Sequence, residues 1–143
     1  MASNSGDFRR RREVLTAGIL LAITATTWAD PRVDYLLHCA GCHLADGRGS
    51  PPSVPSLAGP LGRIVSSPEG RDYLARVPGA AQAPISDDAL AGVLNWVLLE
   101  FNRATLPRHF KPLRASEVAS SRARVLTDPL KFRRELWPEF EAY

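Results

Sequence analysis

The chain has 143 residues, with 18 Lys and Arg against 15 Asp and Glu, a formal charge of +3 and 45% hydrophobic residues. That length supports one small domain with an extension, not two domains. Without its first 29 residues the chain is nearly charge-balanced, which excludes a basic nucleic-acid-binding surface as the main business of the protein.

Residues 1–29 read as a processing segment. Arg9 to Arg12 form a basic cluster, Val14 to Ala29 are apolar apart from threonines and one glycine, and Thr27-Trp28-Ala29 is a small-x-small pattern suited to cleavage before Asp30. The expectation is a cleaved export signal delivering the rest to the periplasm. The alternative is an uncleaved N-terminal anchor, the only route by which a membrane would enter the account. Arg11-Arg12 also fits a twin-arginine pattern, read here as an ordinary basic n-region.

Val33 to Cys42 predicts a short helix, with Tyr35 one turn before Cys39 and Leu36 able to share the buried face. It runs into Cys39-Ala40-Gly41-Cys42-His43, which holds both cysteines of the chain. C-x-x-C-H is the attachment signal of a c-type haem, in which both thiols add to haem vinyl groups and the histidine ligates the iron. A disulfide or a zinc site are the competing uses of such a cysteine pair in an oxidising compartment. Zinc would need a fourth ligand, and the chain has only three histidines.

Leu44 to Gly62 is rich in Gly, Pro and Ser and reads as a loop, with a turn at Asp46-Gly47. Ser67-Pro68 predicts a capped helix start, the helix running to about Val77 and stopped by Pro78-Gly79. Ser86 caps the clearest helix, to Phe101. Asp87 and Asp88 sit at its positive end, and Leu90, Val93, Leu94, Val97, Leu98 and Phe101 recur at helical spacing, with Trp96 extending that face. After Arg103 the character changes. Residues 30–102 carry five arginines against eight acids, whereas residues 103–143 carry nine basic residues against five acids. Ser116 to Leu126 predicts one modest helix, ended before Pro129. No strand pattern is evident, so the fold class expected is all-α.

From Val33 to Phe101, about half the chain, the sequence resembles the class I cytochromes c. The resemblance rests on Tyr35 four residues before the first cysteine, on Cys39-Ala40-Gly41-Cys42-His43, on Leu44 to Gly49 followed by Pro55-Ser56-Leu57-Ala58-Gly59, and on Pro84-Ile85-Ser86-Asp87 leading into the helix that bears Trp96. It implies a small fold of three to five helices around one covalent haem c, with a signal at 1–29, a cytochrome domain at 30–102 and a basic, aromatic extension at 103–143. It also implies that Cys39 and Cys42 carry the haem and that His43 is the proximal ligand. The Pro55 carbonyl should accept a bond from the second ring nitrogen of His43. Tyr35, Leu57 and Trp96 should pack the core and haem pocket, Tyr35 and Trp96 meeting where the first and last core helices cross.

One part of the pattern is missing. The family places a methionine shortly before the last helix, and the sole methionine here is Met1. Gln82 stands in that stretch. Three readings are open: Gln82 ligates or caps the iron, the sixth position is open or holds water, or His109 reaches in from the extension. His38, tethered beside Cys39, is assigned no ligand role. The function expected is that of a one-electron carrier rather than an enzyme, since no acid–base pair or nucleophile is evident. Its partners would be redox proteins such as a dehydrogenase, an oxidase or another cytochrome, with service to a periplasmic dehydrogenase or respiratory complex the specific expectation. The alternatives are a haem sensor or small-ligand-binding protein with an open distal site, or a haem subunit docked through its extension. Lys131 to Phe140, mixing basic residues with large aromatics, suits such docking, or else a tail folded over the core.

Overall fold

The computed structural model describes residues 30–140, so the segment read as an export signal lies outside the described residues. Among the described residues the fold is all-α, with an isolated bridge between Ser50 and Val54 in place of any strand. Five helices have eight residues or more: α1 (Pro31–His38), α4 (Pro68–Arg76), α6 (Asp87–Phe101), α7 (Ala115–Arg122) and α8 (Pro129–Leu136). Three are single turns: α2 (Ala40–His43), α3 (Leu61–Ile64) and α5 (Pro78–Ala81). No helix among the described residues is long and apolar enough to cross a membrane.

Local chemistry sets the helix starts. Asp30, Ser67, Ser86 and Asp128 each accept a bond from a backbone N–H of the first turn, and Pro31, Pro68 and Pro129 occupy helix positions where no N–H is required. The helix expected over Val33 to Cys42 is broken: Cys39 leaves helical geometry with φ −123° and ψ −38°, and α2 starts afresh at Ala40. Leu36 is 43% exposed; Asp34 and Tyr35 are the buried residues of α1. Part of the expected loop winds into α3; α4 ends at Arg76, just before Pro78 as expected, and Pro78 then starts the single turn α5. The helix expected from Ser116 to Leu126 ends at Arg122.

α1 crosses α6 at an aromatic knot. The rings of Tyr35 and Trp96 lie 5.0 Å apart, and Phe101 meets them edge-on at 5.5 and 5.2 Å. Such pairs contribute about 0.5–1.5 kcal/mol each beyond the burial of their area. Fully buried Asn102 ends α6 and ties the preceding loop to it: its Nδ2 donates to Leu57 O (2.8 Å), and its Oδ1 accepts from Gly62 N (3.3 Å).

Residues set apart by charge are not set apart by packing. α7 lies against both α6 and α4, with Val118 fully buried. Asn95 on α6 exchanges two bonds with the backbone of Leu113, at 2.7 and 2.9 Å. α8 returns to α4, where Phe132 stacks on Tyr73 at 5.9 Å and Trp137 meets the same ring edge-on. Phe132 and Trp137, two of the aromatics read as docking anchors, are thus packed within the fold against the ring of Tyr73.

One such pair has a measurable pH dependence. Asp72 accepts from Ser121 (2.7 Å) and Arg76 (3.0 Å) and also pairs with Arg124. Burial alone would raise its carboxyl, but these donors outweigh it and hold the group below the usual carboxylate range. A depressed carboxylate contributes stability above its unfolded value, lost as pH falls through the folded one. Asp72→Asn should therefore cost about 1–2 kcal/mol at pH 7, trimmed by solvent screening. Urea unfolding should show the gap between variant and parent closing below about pH 4.

Candidate haem site

The core is hollow on one side. A cavity of about 450 Å³ opens between the two halves of the fold, within the ~300–1,000 Å³ typical of small-molecule and cofactor sites. One part of its lining is Cys39, Cys42 and His43, followed by Val54, Pro55, Leu57 and Leu61. A second part is the inner face of α6, Leu90, Val93, Leu94, Val97 and Leu98. The rest comes from Tyr73, Leu74 and Val77 to Ala80, from Thr127 to Leu130 with Arg133, and from His38 and Ser53, which flank the cysteine and Pro55 segments.

The break at Cys39 serves this geometry. By ending α1 and restarting at Ala40, the chain turns both cysteines and His43 onto the rim of one cavity. Neither cysteine is in a disulfide; Cys39 is half-buried and Cys42 exposed. Burial, with the nearby charges of Asp34 and Cys42, raises the Cys39 thiol. Among the described residues no group of three His, Cys, Asp or Glu could hold a bare metal ion, so the zinc alternative lacks its ligands.

His43 Nδ1 lies 3.1 Å from Pro55 O. Because a carbonyl can only accept, Nδ1 carries the hydrogen and Nε2 is left as the free lone pair for a metal. Burial lowers the imidazole, with the Pro55 bond working the other way, so the ring is neutral at pH 7, the state a ligand needs. The loop that delivers Pro55 is pinned from several sides. Gly49 N donates to His43 O (3.0 Å) and Leu57 N to Gly47 O (2.7 Å). Gly49 has φ +66°, and a Cβ there would come within 2.8 Å of Pro55 O, so glycine permits the close approach. Tyr35 donates to Leu44 O at 2.6 Å, fixing the turn after His43. Burial first, and then the neighbouring Cys39 and Asp46, push that phenol up to about 12, so it remains a donor at any ordinary pH.

An apolar cavity with two thiols, a neutral oriented imidazole and one edge open at Cys42 fits a covalent haem. The sixth position is another matter. Gln82 is exposed and outside the cavity lining, and so is His109. Gln82 sits at the C-terminal end of α5 between buried Ala81 and Ala83, whose methyl groups take the inward positions. The stretch that reaches the cavity stops at Ala80.

Sequence reasoning passed over Asn102 and Arg122, and read Arg133 only as part of the basic, aromatic run suited to docking. Arg133 is 4% exposed and is the one Lys or Arg among the described residues that line the cavity. The available signal was the Asp128-Pro129 helix start, which puts Leu130 and Arg133 one turn apart on the same face of α8.

Two known proteins match the chain. A cytochrome c-552 of Thermus thermophilus is 33% identical over 134 residues, a match spanning 81% of this chain and 90% of that protein. A second cytochrome c-552 from the same species is 34% identical over 107 residues, 62% of this chain and 82% of the relative. The first match is too long to be confined to residues 30–102, which make up about half the chain. No family model matches the chain.

Proposed function

The chain belongs to the c-type cytochromes, and from that premise we propose that it is an exported carrier which takes one electron from a periplasmic dehydrogenase or respiratory complex and passes one electron on, with no atom transferred. Its cofactor is haem c, which supplies the reversible ferric–ferrous couple. Cys39 and Cys42 hold it through thioethers, and His43 is its proximal ligand, aimed by the Pro55 carbonyl. The observation that carries the assignment is the 3.1 Å approach of His43 Nδ1 to Pro55 O beside two free cysteines on one apolar cavity. A bond of that kind fixes the ring orientation and raises the donor strength of Nε2.

Electron exchange needs a haem edge within reach of a partner. Cys42 is exposed, and Val33, Leu36, Leu37 and Leu44 on α1 and just after α2 are apolar and 43–71% exposed. Such a surface suits a brief encounter with another redox protein. Without a methionine opposite His43 the potential lies below that of a histidine–methionine cytochrome.

A second capacity is supported by the cavity lining. With Gln82 and His109 directed elsewhere, the sixth position is open to water or to a small exogenous ligand. Expression with its own N-terminus in a host that matures c-type cytochromes tests the exported, covalently loaded state. The intact mass should be that of a chain beginning at Asp30 plus one haem. A haem-free chain beginning at Met1 would overturn the reading.

A further inference from the structure

Resting on that open-site reading, we propose that Arg122 is a positioning residue for the haem iron: it latches residues 81–87 so that Gln82 stays off the iron and the sixth position is left to a small exogenous ligand.

The contacts of this guanidinium are unusual in number and in aim. Nε donates to Ala81 O (3.0 Å), Nη2 to Ala83 O (2.7 Å) and Nη1 to both Ile85 O (2.9 Å) and Asp87 Oδ1 (3.0 Å). Every alternate carbonyl from Ala81 to Ile85 is held by one side chain. The guanidinium is always charged, and its donors point in fixed directions, so the segment must keep the shape that meets all of them. Arg122 itself is 18% exposed and sits on α7, which is anchored against α6 and α4. A fixed helix thus dictates the path of a segment from outside it.

That path decides where Gln82 goes. Its neighbours Ala81 and Ala83 are buried, and their carbonyls are the two clamped on either side of it. Swinging the Gln82 side chain into the cavity requires the 81–83 backbone to rotate, which breaks at least two charge-assisted bonds and turns two buried methyl groups outward. Charge-assisted bonds are the strong class, so the outward state is favoured while the latch is closed. The cavity side of the segment is then left to Pro78, Gly79 and Ala80, which have no side-chain donor to offer iron.

The test uses purified holoprotein and carbon monoxide as probe, with optical and electron paramagnetic resonance spectra. The parent should have a high-spin fraction and its ferrous form should bind carbon monoxide. Arg122→Met should turn the spectrum low-spin and weaken carbon monoxide binding at least tenfold. Adding Gln82→Ala to Arg122→Met should restore both, which a purely structural role for Arg122 would not do, whereas Gln82→Ala alone should leave the parent behaviour unchanged. Should Arg122→Met yield no folded holoprotein, Arg122→Lys takes its place: it keeps the charge but cannot span three carbonyls, and the outcome should be intermediate. A parent that binds carbon monoxide, with an Arg122→Met or Arg122→Lys variant that binds it equally well, overturns the latch alone. A parent that is low-spin and refuses carbon monoxide overturns the open-site reading and the latch with it.

Discussion

Replacing Cys39 and Cys42 together by serine should abolish covalent haem: after denaturing electrophoresis the band that stains for haem disappears, and all remaining haem extracts into acidified acetone. Each thioether would form by addition of one thiol S–H across one haem vinyl group, and the chain has no third cysteine to substitute. The cavity itself persists, because the cysteines sit on its rim while Tyr35, Leu90, Val93 and Leu98 form the core beneath. His43 and the apolar walls should therefore still capture some haem reversibly, seen as a Soret band that is lost on dilution or on competition with apomyoglobin. Single substitutions should leave one thioether each and a reduced but stainable band. A doubly substituted protein that still stains would show that the haem is attached elsewhere.

The largest effect on stability should come from Gly70→Ala. Gly70 is where α4 passes over the end of α3: a Cβ there would overlap the carbonyl oxygen of Ile64 and lie 2.6 Å from its Cγ2. Neither neighbour can yield, since Ile64 is fully buried and its carbonyl is backbone. The same residue accepts no substitute by rotation, because its N–H is the donor to the Ser67 cap (3.1 Å). Separating α4 from α3 would also pull Tyr73 and Leu74 out of the cavity wall. The expected cost is about 4 kcal/mol, at the upper end for single substitutions, with Tm lowered by roughly 15 °C. Gly92→Ala is the control. Its Cβ would rest 3.4 Å from Pro31 Cγ, an ordinary contact, and the variant should stay within about 1 kcal/mol of the parent. Equal melting of the two variants would refute the packing argument.

What the sequence makes readable here is mainly local. Helix starts depend on a cap and the next three residues, so Ser67 and Ser86 are legible from a few letters, and a period of apolar residues betrays the buried face of α6. The haem motif is legible for the same reason, its two thiols and imidazole lying within five consecutive residues. The break at Cys39 is not, because the one poor helix former of Val33 to Cys42, Gly41, lies inside α2 and not at the break that turns the thiols and His43 onto one rim. Gln82 faces outward for a reason 40 residues away, in the guanidinium of Arg122. A polar side chain that captures backbone carbonyls across the fold leaves no periodicity, and neither does Asn102 in bridging Leu57 and Gly62. The charge boundary near Arg103 misleads in the opposite way. Part of the basic side turns inward, Arg122 onto the carbonyls of residues 81–85 and Arg133 onto the cavity, while Val118 on α7, Phe132 on α8 and Trp137 just after it continue the core of the preceding residues.

On the reading proposed above, this chain holds a single haem c by Cys39, Cys42 and His43 and moves one electron at a time through it. Spectroelectrochemical titration of the purified holoprotein tests this most directly. One reversible transition in the haem bands is expected, with a one-electron Nernst slope, one electron taken up per chain, and a midpoint below that of histidine–methionine cytochromes. A two-electron slope, or a protein whose electron uptake is not accompanied by any haem band, would contradict it.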